Sequence, residues 1–178
     1  MASTQSAGTM PGRIESIHVA TSAGEPMRAA ERIRLRRGIG LDGDRYAAGL
    51  GHFSGMPGTG RALTLIEAEV LEDLRDSLGI SLRPGETRRN LTTRGVALNA
   101  LVGHRFRIGT VLCEGMRLCE PCAYLEGVLA RPLLAPLSQR GGLRADVLED
   151  GEIRIGDELR PLEDAATRRR GMNEDADH

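Results

Sequence analysis

Lysine is absent from the 178 residues, and all 24 basic side chains are arginine. No internal Schiff base can form, which excludes pyridoxal-phosphate and lysine-type aldolase chemistry on this chain. A Walker phosphate loop is excluded as well, because its lysine has no substitute. Any anion site must therefore be built from planar, permanently charged guanidinium forks. Tryptophan is also absent, and two Phe with two Tyr are too few for the stacking platforms that hold single-stranded nucleic acid. There is no basic surplus: 24 Arg face 25 Asp and Glu, for a net charge of −1. A non-specific nucleic-acid binder needs that surplus to neutralise phosphates. No apolar run approaches the roughly 20 residues that span a bilayer, and no signal-type apolar segment opens the chain. These absences predict a soluble, cytoplasmic protein with neither nucleic-acid nor membrane partners.

Cysteine is scarce and clustered. Cys113, Cys119 and Cys122 are the three present, and an odd number without a secretion signal does not read as a disulfide framework. A four-cysteine zinc site is impossible within one chain, and His18, His52 and His104 stand at no metal-finger spacing.

What is present is a string of short strands. The length suits one compact domain of about 150 residues with loose ends. Residues 1–11 are small and polar and predict a disordered segment. Residues 12–162 read as one domain, and 163–178, with its Arg168-Arg169-Arg170 block and acidic end, as a disordered polar tail. Ile14, Ile17 and Val19 mark a first strand, and Ile33 and Leu35 alternate with Arg32, Arg34 and Arg36 in a second. A glycine-rich stretch from Gly38 to Gly60 follows, too long for a plain turn. Leu63 to Ile66 predicts a strand leading into a helix whose Val70, Leu71, Leu74 and Leu78 recur at helical spacing before Gly79. Two further strands are expected at Arg105–Gly109 and Thr110–Leu118. Leu143, Ala145 and Val147 alternate, Glu149-Asp150-Gly151 supplies a turn, and Ile153 and Ile155 return, which predicts a hairpin with both isoleucines in the core. The fold class expected is mainly β: a closed or nearly closed barrel with a few short helices.

Three segments can carry chemistry. Gly43-Asp44-Arg45 lies in the glycine-rich stretch, where an Asp–Arg pair also serves plain turn chemistry. Arg88-Arg89-Asn90-Leu91-Thr92-Thr93-Arg94 offers donors suited to a phosphate or other oxyanion, or a solvated basic surface. Cys119-Glu120-Pro121-Cys122 precedes a short helix. Pro121 suits its first turn, and Cys122 then lies where free N–H groups favour a thiolate. A buried packing role for that cysteine is the alternative. Cys-x-x-Cys also occurs in thioredoxin-type motifs, but the alternating strand–helix context of those motifs is missing.

The order Gly43-Asp44-Arg45, Leu63-Thr64-Leu65-Ile66-Glu67, Arg89-Asn90-Leu91-Thr92-Thr93-Arg94-Gly95, Phe106-Arg107-Ile108-Gly109, Pro121-Cys122, Gly141-Gly142-Leu143-Arg144-Ala145 and Gly151-Glu152-Ile153-Arg154-Ile155-Gly156-Asp157 resembles the MOSC domain family. The family is named for the C-terminal domain of molybdenum cofactor sulfurase, and the likeness runs from about residue 14 to 160. It implies a β-barrel, and it implies that Cys122 matches the cysteine that carries sulfur or ligates molybdenum in family members. Arg89 and Asn90 match the family's Arg-Asn segment and Asp44 and Arg45 its glycine-rich loop motif, and from their chemistry we expect them to hold an anionic molybdenum–pterin cofactor or a small-molecule substrate. The chain matches no aminotransferase-like desulfurase domain, and without lysine it cannot hold pyridoxal phosphate. The leading expectation is reduction of N-oxygenated or N-hydroxylated compounds through Cys122. A metal-free sulfur carrier using a Cys122 persulfide, served by a redox or sulfur-donor protein, and a non-catalytic binding barrel are the alternatives.

Overall fold

The structure is a computed structural model that describes residues 11–56 and 58–163. The disorder expected of residues 1–11 and 163–178 therefore lies outside the described residues, apart from Pro11 and Glu163. Eleven strands follow in chain order: β1 (Gly12–Val19), β2 (Arg28–Ala30), β3 (Arg32–Arg36), β4 (Gly40–Leu41), β5 (Leu63–Glu67), β6 (Leu91–Arg94), β7 (Arg105–Ile108), β8 (Val111–Leu118), β9 (Leu143–Val147), β10 (Gly151–Arg154) and β11 (Glu158–Pro161). Helices α1 (Ala68–Leu78), α2 (Ala123–Leu129) and α3 (Leu134–Leu137) and one turn of 3-10 helix at Leu98–Leu101 complete the set.

Seven strands close a barrel in the order β1-β11-β7-β8-β9-β5-β6, and the ring is sealed where Gly12 of β1 pairs with Leu159 of β11. Closure leaves the seven barrel strands without a free edge between them. One neighbouring pair, β5 and β6, is parallel. A parallel pair needs a crossover, and α1 lies between the two strands in sequence. That helix buries Val70, Leu71 and Leu74 and ends at Gly79, whose φ of 66° is the left-handed geometry of a helix stop.

Two apolar layers result. Alternate residues point inward, so Leu63, Leu65, Leu143, Ala145, Val147, Phe106 and Ile108 fill the barrel. Ile66 points the other way and packs with Leu74, Leu125, Leu133 and Leu137 beneath the helices. Strand β5 is therefore buried on both faces.

The expected last hairpin does not form. Strand β10 leaves β9 and pairs antiparallel with β3, Gly151 opposite Leu35 and Ile153 opposite Ile33, in a small second sheet with β4. The Asp150 carboxylate accepts a bond from the Arg37 amide at 2.7 Å, so the residue read as a turn anchors a distant corner instead. Ile153 is fully buried, but Ile155 lies beyond the strand end and is 47% exposed, which corrects its expected place in the core.

Candidate functional site

The buried polar residues gather at one end of the barrel, and their bonds separate those that build the framework from those that face the cleft. Asp44 is the centre of the first group. Its Oδ1 accepts from the Ala20 amide (3.2 Å), Arg45 Nη1 (3.1 Å) and Asn90 Nδ2 (3.2 Å), and its Oδ2 from the Tyr46 amide (3.2 Å). The glycine-rich loop is thereby fastened to the end of β1. Asn90 is engaged on both ends of its amide, since Nδ2 also reaches the His18 carbonyl (3.1 Å) and Oδ1 accepts from Thr64 N and Oγ1. Its four bonds join β1, β5 and the loop.

The adjacent arginines differ in what they bind. Arg89 donates from Nε to the Gly141 carbonyl (2.9 Å), from Nη1 to Thr87 (3.0 Å) and from Nη2 to Cys119 (3.0 Å). Gly141 makes this approach possible, because a Cβ there would lie 2.4 Å from the Cys119 carbonyl oxygen. Arg88 stands at φ 61°, a left-handed conformation unusual for a residue with a side chain. Its Nη1 donates to the Glu25 carbonyl at 2.6 Å, while its Nη2 is buried without a hydrogen-bond partner. Among the described residues no carboxylate pairs with Arg88, Arg89 or Arg144. Burial and the neighbouring Arg45 pull the Arg88 guanidinium below the ordinary arginine value, a sign of a desolvated cation.

Cys122 faces these groups. Arg45, Arg88, Arg89, Arg144, Cys119 and Cys122 line a single small cavity of about 40 Å³. Three of the four Tyr and Phe rings, Tyr46, Phe53 and Tyr124, line it too, with His52. His52 stacks on Tyr124, ring centres 3.9 Å apart, and meets Phe53 edge-on at 4.6 Å. Arg45 lies over the Tyr46 ring at 5.0 Å and Arg144 over Phe53 at 6.0 Å, both within cation–π reach. The long glycine-rich loop thus forms one wall of the cleft and α2 the other.

The three thiols are free, and only Cys122 is partly exposed. Burial pushes the Cys113 thiol up to about 12, so it is inert at neutral pH. The expected position of Cys122 within the first helical turn is corrected by one residue. Helix α2 begins at Ala123, and Cys122 is its extended N-cap (φ −139°), whose carbonyl accepts from the Glu126 amide at 3.2 Å. Pro121 consequently precedes the helix.

Of the residues singled out from sequence, Arg45, Arg89 and Cys122 share this cleft, while Asp44 and Asn90 support it from behind. Arg88 joins them from the Arg88–Arg94 segment already read as a source of anion donors, whereas Arg144, His52 and the three rings were missed as site residues. A signal for the rings existed: in a chain with two Tyr and two Phe, Tyr46 follows Arg45, and Tyr124 stands two positions after Cys122.

The fold is shared with solved structures. The YuaD protein from Bacillus subtilis matches over 86% of this chain and 98% of its own, with a TM-score of 0.70 at 16% identity. YiiM from Geobacillus stearothermophilus matches 86% of this chain and 76% of its own (TM-score 0.64, 20% identity). YiiM from Escherichia coli matches 86% and 71% (TM-score 0.58, 21% identity). At such identities the likeness is one of fold. No curated protein matches the chain. No helix among the described residues is long and apolar enough to cross a membrane. The model of the MOSC domain matches residues 51–160, more than half of the chain and including Arg89 and Cys122, so the chain belongs to the MOSC domain family.

Proposed function

We propose that this protein holds the molybdenum–pterin cofactor associated with MOSC domains in the Cys122 cleft and reduces N-oxygenated or N-hydroxylated compounds there. One observation carries the reading. A partly exposed thiol opens on a cleft walled by Arg88, a residue 7% exposed whose guanidinium has an unpartnered nitrogen and no carboxylate. A buried cation left so incompletely bonded is costly unless an anion completes it.

The donor set fits the group. Arg88 and Arg144, with Arg45 and Arg89 behind them, offer guanidinium forks to a phosphate. The rings of Tyr46, Phe53 and Tyr124 suit a flat heterocycle. Among the described residues no group of three or more His, Cys, Asp or Glu is placed to hold an ion. That suits a metal carried on its own organic ligand and taking one soft thiolate, Cys122, from the protein. The cavity of about 40 Å³ is smaller than the roughly 300–1,000 Å³ of small-molecule sites. The cleft would therefore have to widen, and the loop that carries His52 and Phe53 is one of its two walls. When bound, the group supplies two-electron oxygen-atom abstraction from the N–O substrate. The arginines fix its anionic end, Asp44 and Asn90 hold the wall in register, and the rings exclude water.

Metal analysis of protein from a molybdenum-replete host tests this, with absorbance above 300 nm, where a chain lacking Trp is transparent. About one molybdenum per chain, lost in Cys122→Ser and reduced in Arg88→Gln, is the expected result. Metal-free protein that fails to take up the cofactor would overturn it.

The small cavity favours a second reading, in which Cys122 carries sulfur. Its thiolate attacks the outer sulfur of a donor persulfide, forming Cys122–S–SH as the S–S bond of the donor breaks and its thiolate leaves. A mass gain of one sulfur atom on the Cys122 peptide after exposure to a persulfide donor, without bound metal, would select this reading.

A further inference from the structure

Cys122 has a second thiol for a neighbour, since Cys119 lines the same cavity of about 40 Å³. Strand register places the Cys119 side chain on that side. Arg144 of β9 stands opposite Arg117 of β8 and opposite Thr64 of β5. Residues directly opposite one another share a face of the sheet, and Leu63, Leu65 and Leu143, on the other face, fill the barrel. Thr64, Arg144 and Arg117 therefore point outward. Cys119, two positions after Arg117, points outward with them, and its amide continues the ladder onto the Gly142 carbonyl at 2.7 Å. Thr64, Arg144 and Cys119 all line the Cys122 cleft, so the outer face of β5, β9 and the end of β8 is its floor. Cys119 is 1% exposed yet belongs to neither apolar layer, whereas Cys113 packs inside the barrel.

The segment that carries both thiols is fixed from outside. The Cys119 carbonyl accepts from Arg89 Nη2 at 3.0 Å, and the Glu120 carboxylate accepts from the Gln139 amide at 3.1 Å. Pro121 packs so near Gly141 that a Cβ there would lie 3.3 Å from its Cδ. Two thiols three positions apart are thus held over one small cavity, among the guanidinium groups of Arg88, Arg89 and Arg144, and such cations favour thiolates. We propose that Cys119 and Cys122 are a redox pair that closes a disulfide when a peroxide enters the cleft. This goes beyond the cofactor reading and concerns the thiols alone. Cys122, the partly exposed member, reacts first. Its thiolate takes one oxygen from hydrogen peroxide, the O–O bond breaks, hydroxide leaves, and a sulfenic acid remains. Cys119 then attacks the Cys122 sulfur, the S–O bond breaks, and the departing hydroxide leaves as water with the Cys119 proton. Two thiols have given up two electrons and two protons, and the peroxide has become two waters. Closure withdraws the Cys122 sulfur from whatever the cleft holds.

Full-length, metal-free protein treated with equimolar hydrogen peroxide, then denatured, alkylated and digested with trypsin, is the test. Trypsin leaves both cysteines on one peptide, Leu118–Arg140, because Pro132 blocks the cut after Arg131, while Cys113 lies on another. The Leu118–Arg140 peptide should be two hydrogens lighter and should take up alkyl groups only after reduction with a dithiol. Cys113 should alkylate fully throughout. Cys119→Ala, checked for folding by its melting temperature, should leave Cys122 as a sulfenic acid that dimedone traps about tenfold more than in the parent. Two alkylated thiols on the peptide, an oxygenated Cys122 beside a free Cys119, a disulfide joining two chains, or equal dimedone trapping in parent and variant would overturn the pair. The readout needs no metal, so failure here and failure of the molybdenum reading are separately visible.

Discussion

Arg89 Nη2 donates to the carbonyl of Cys119 at 3.0 Å. The same guanidinium holds Gly141 and Thr87, so one side chain ties the strand preceding the cysteine loop to the strand following it. The thiol of Cys122, three positions on from Cys119, is placed by this clamp.

Arg89 and Arg88 should therefore fail differently when substituted. Arg89→Met leaves three buried carbonyls unpaired and should lower stability by about 3 kcal/mol, a fall in melting temperature of about 10 °C. Arg88→Gln surrenders one carbonyl bond and should melt within a few degrees of the parent while losing anion retention. Equal melting temperatures for the two variants would show that the clamp is not structural.

The corrected strand end gives a sharp comparison. Ile153→Asp puts an unpaired charge into the barrel core and should destabilise by on the order of 4 kcal/mol. Ile155→Asp, at an exposed position, should be close to neutral. Thermal melts of the pair decide it, and a severe effect of Ile155→Asp would return that residue to the core.

Thiol accessibility ranks the cysteines. Cys122 should alkylate first, ahead of Cys119 and Cys113, which are 1% and 0% exposed. Mass spectrometry of competition-labelled protein, freed of any bound cofactor, reads the order.

Cys113 also makes stability depend on alkaline pH. Its thiol rises from the ordinary 9.0 to about 12 on folding, so the unfolded chain ionises first as pH increases. Its contribution is intact below pH 9 and is lost progressively toward pH 12, at up to about 1.4 kcal/mol per pH unit. Urea denaturation across the lower part of that window should show the loss, and Cys113→Val should flatten it.

The stacked pair of His52 and Tyr124 joins the loop wall to α2, and such ring pairs contribute about 0.5–1.5 kcal/mol. His52→Ala should open the cleft and speed alkylation of Cys122 about three- to tenfold. An unchanged rate would show that the loop is held elsewhere, for instance by the Gly60 amide on Asp146 at 2.8 Å.

The sequence by itself determined the local elements. Period-two alternation in Arg32–Arg36 and Leu143–Val147 set which side chains enter the core, and the spacing of Val70, Leu71 and Leu74 with Gly79 set α1 and its end, because these signals depend on near neighbours. It also marked Arg45, Arg89 and Cys122, through short motifs whose order survives along the chain. Tertiary structure alone decided strand partnership at Asp150-Gly151, where a local turn signal yields to pairing with β3 and a bond to the Arg37 amide. It decided as well which of two adjacent, chemically identical arginines is held by the framework and which is left with an open nitrogen. Arg89 meets three carbonyls brought from β6, β8 and β9 flanks, while Arg88, turned by its left-handed backbone, meets one. Hydrogen-bond partners supplied by distant segments leave no trace in the residues on either side.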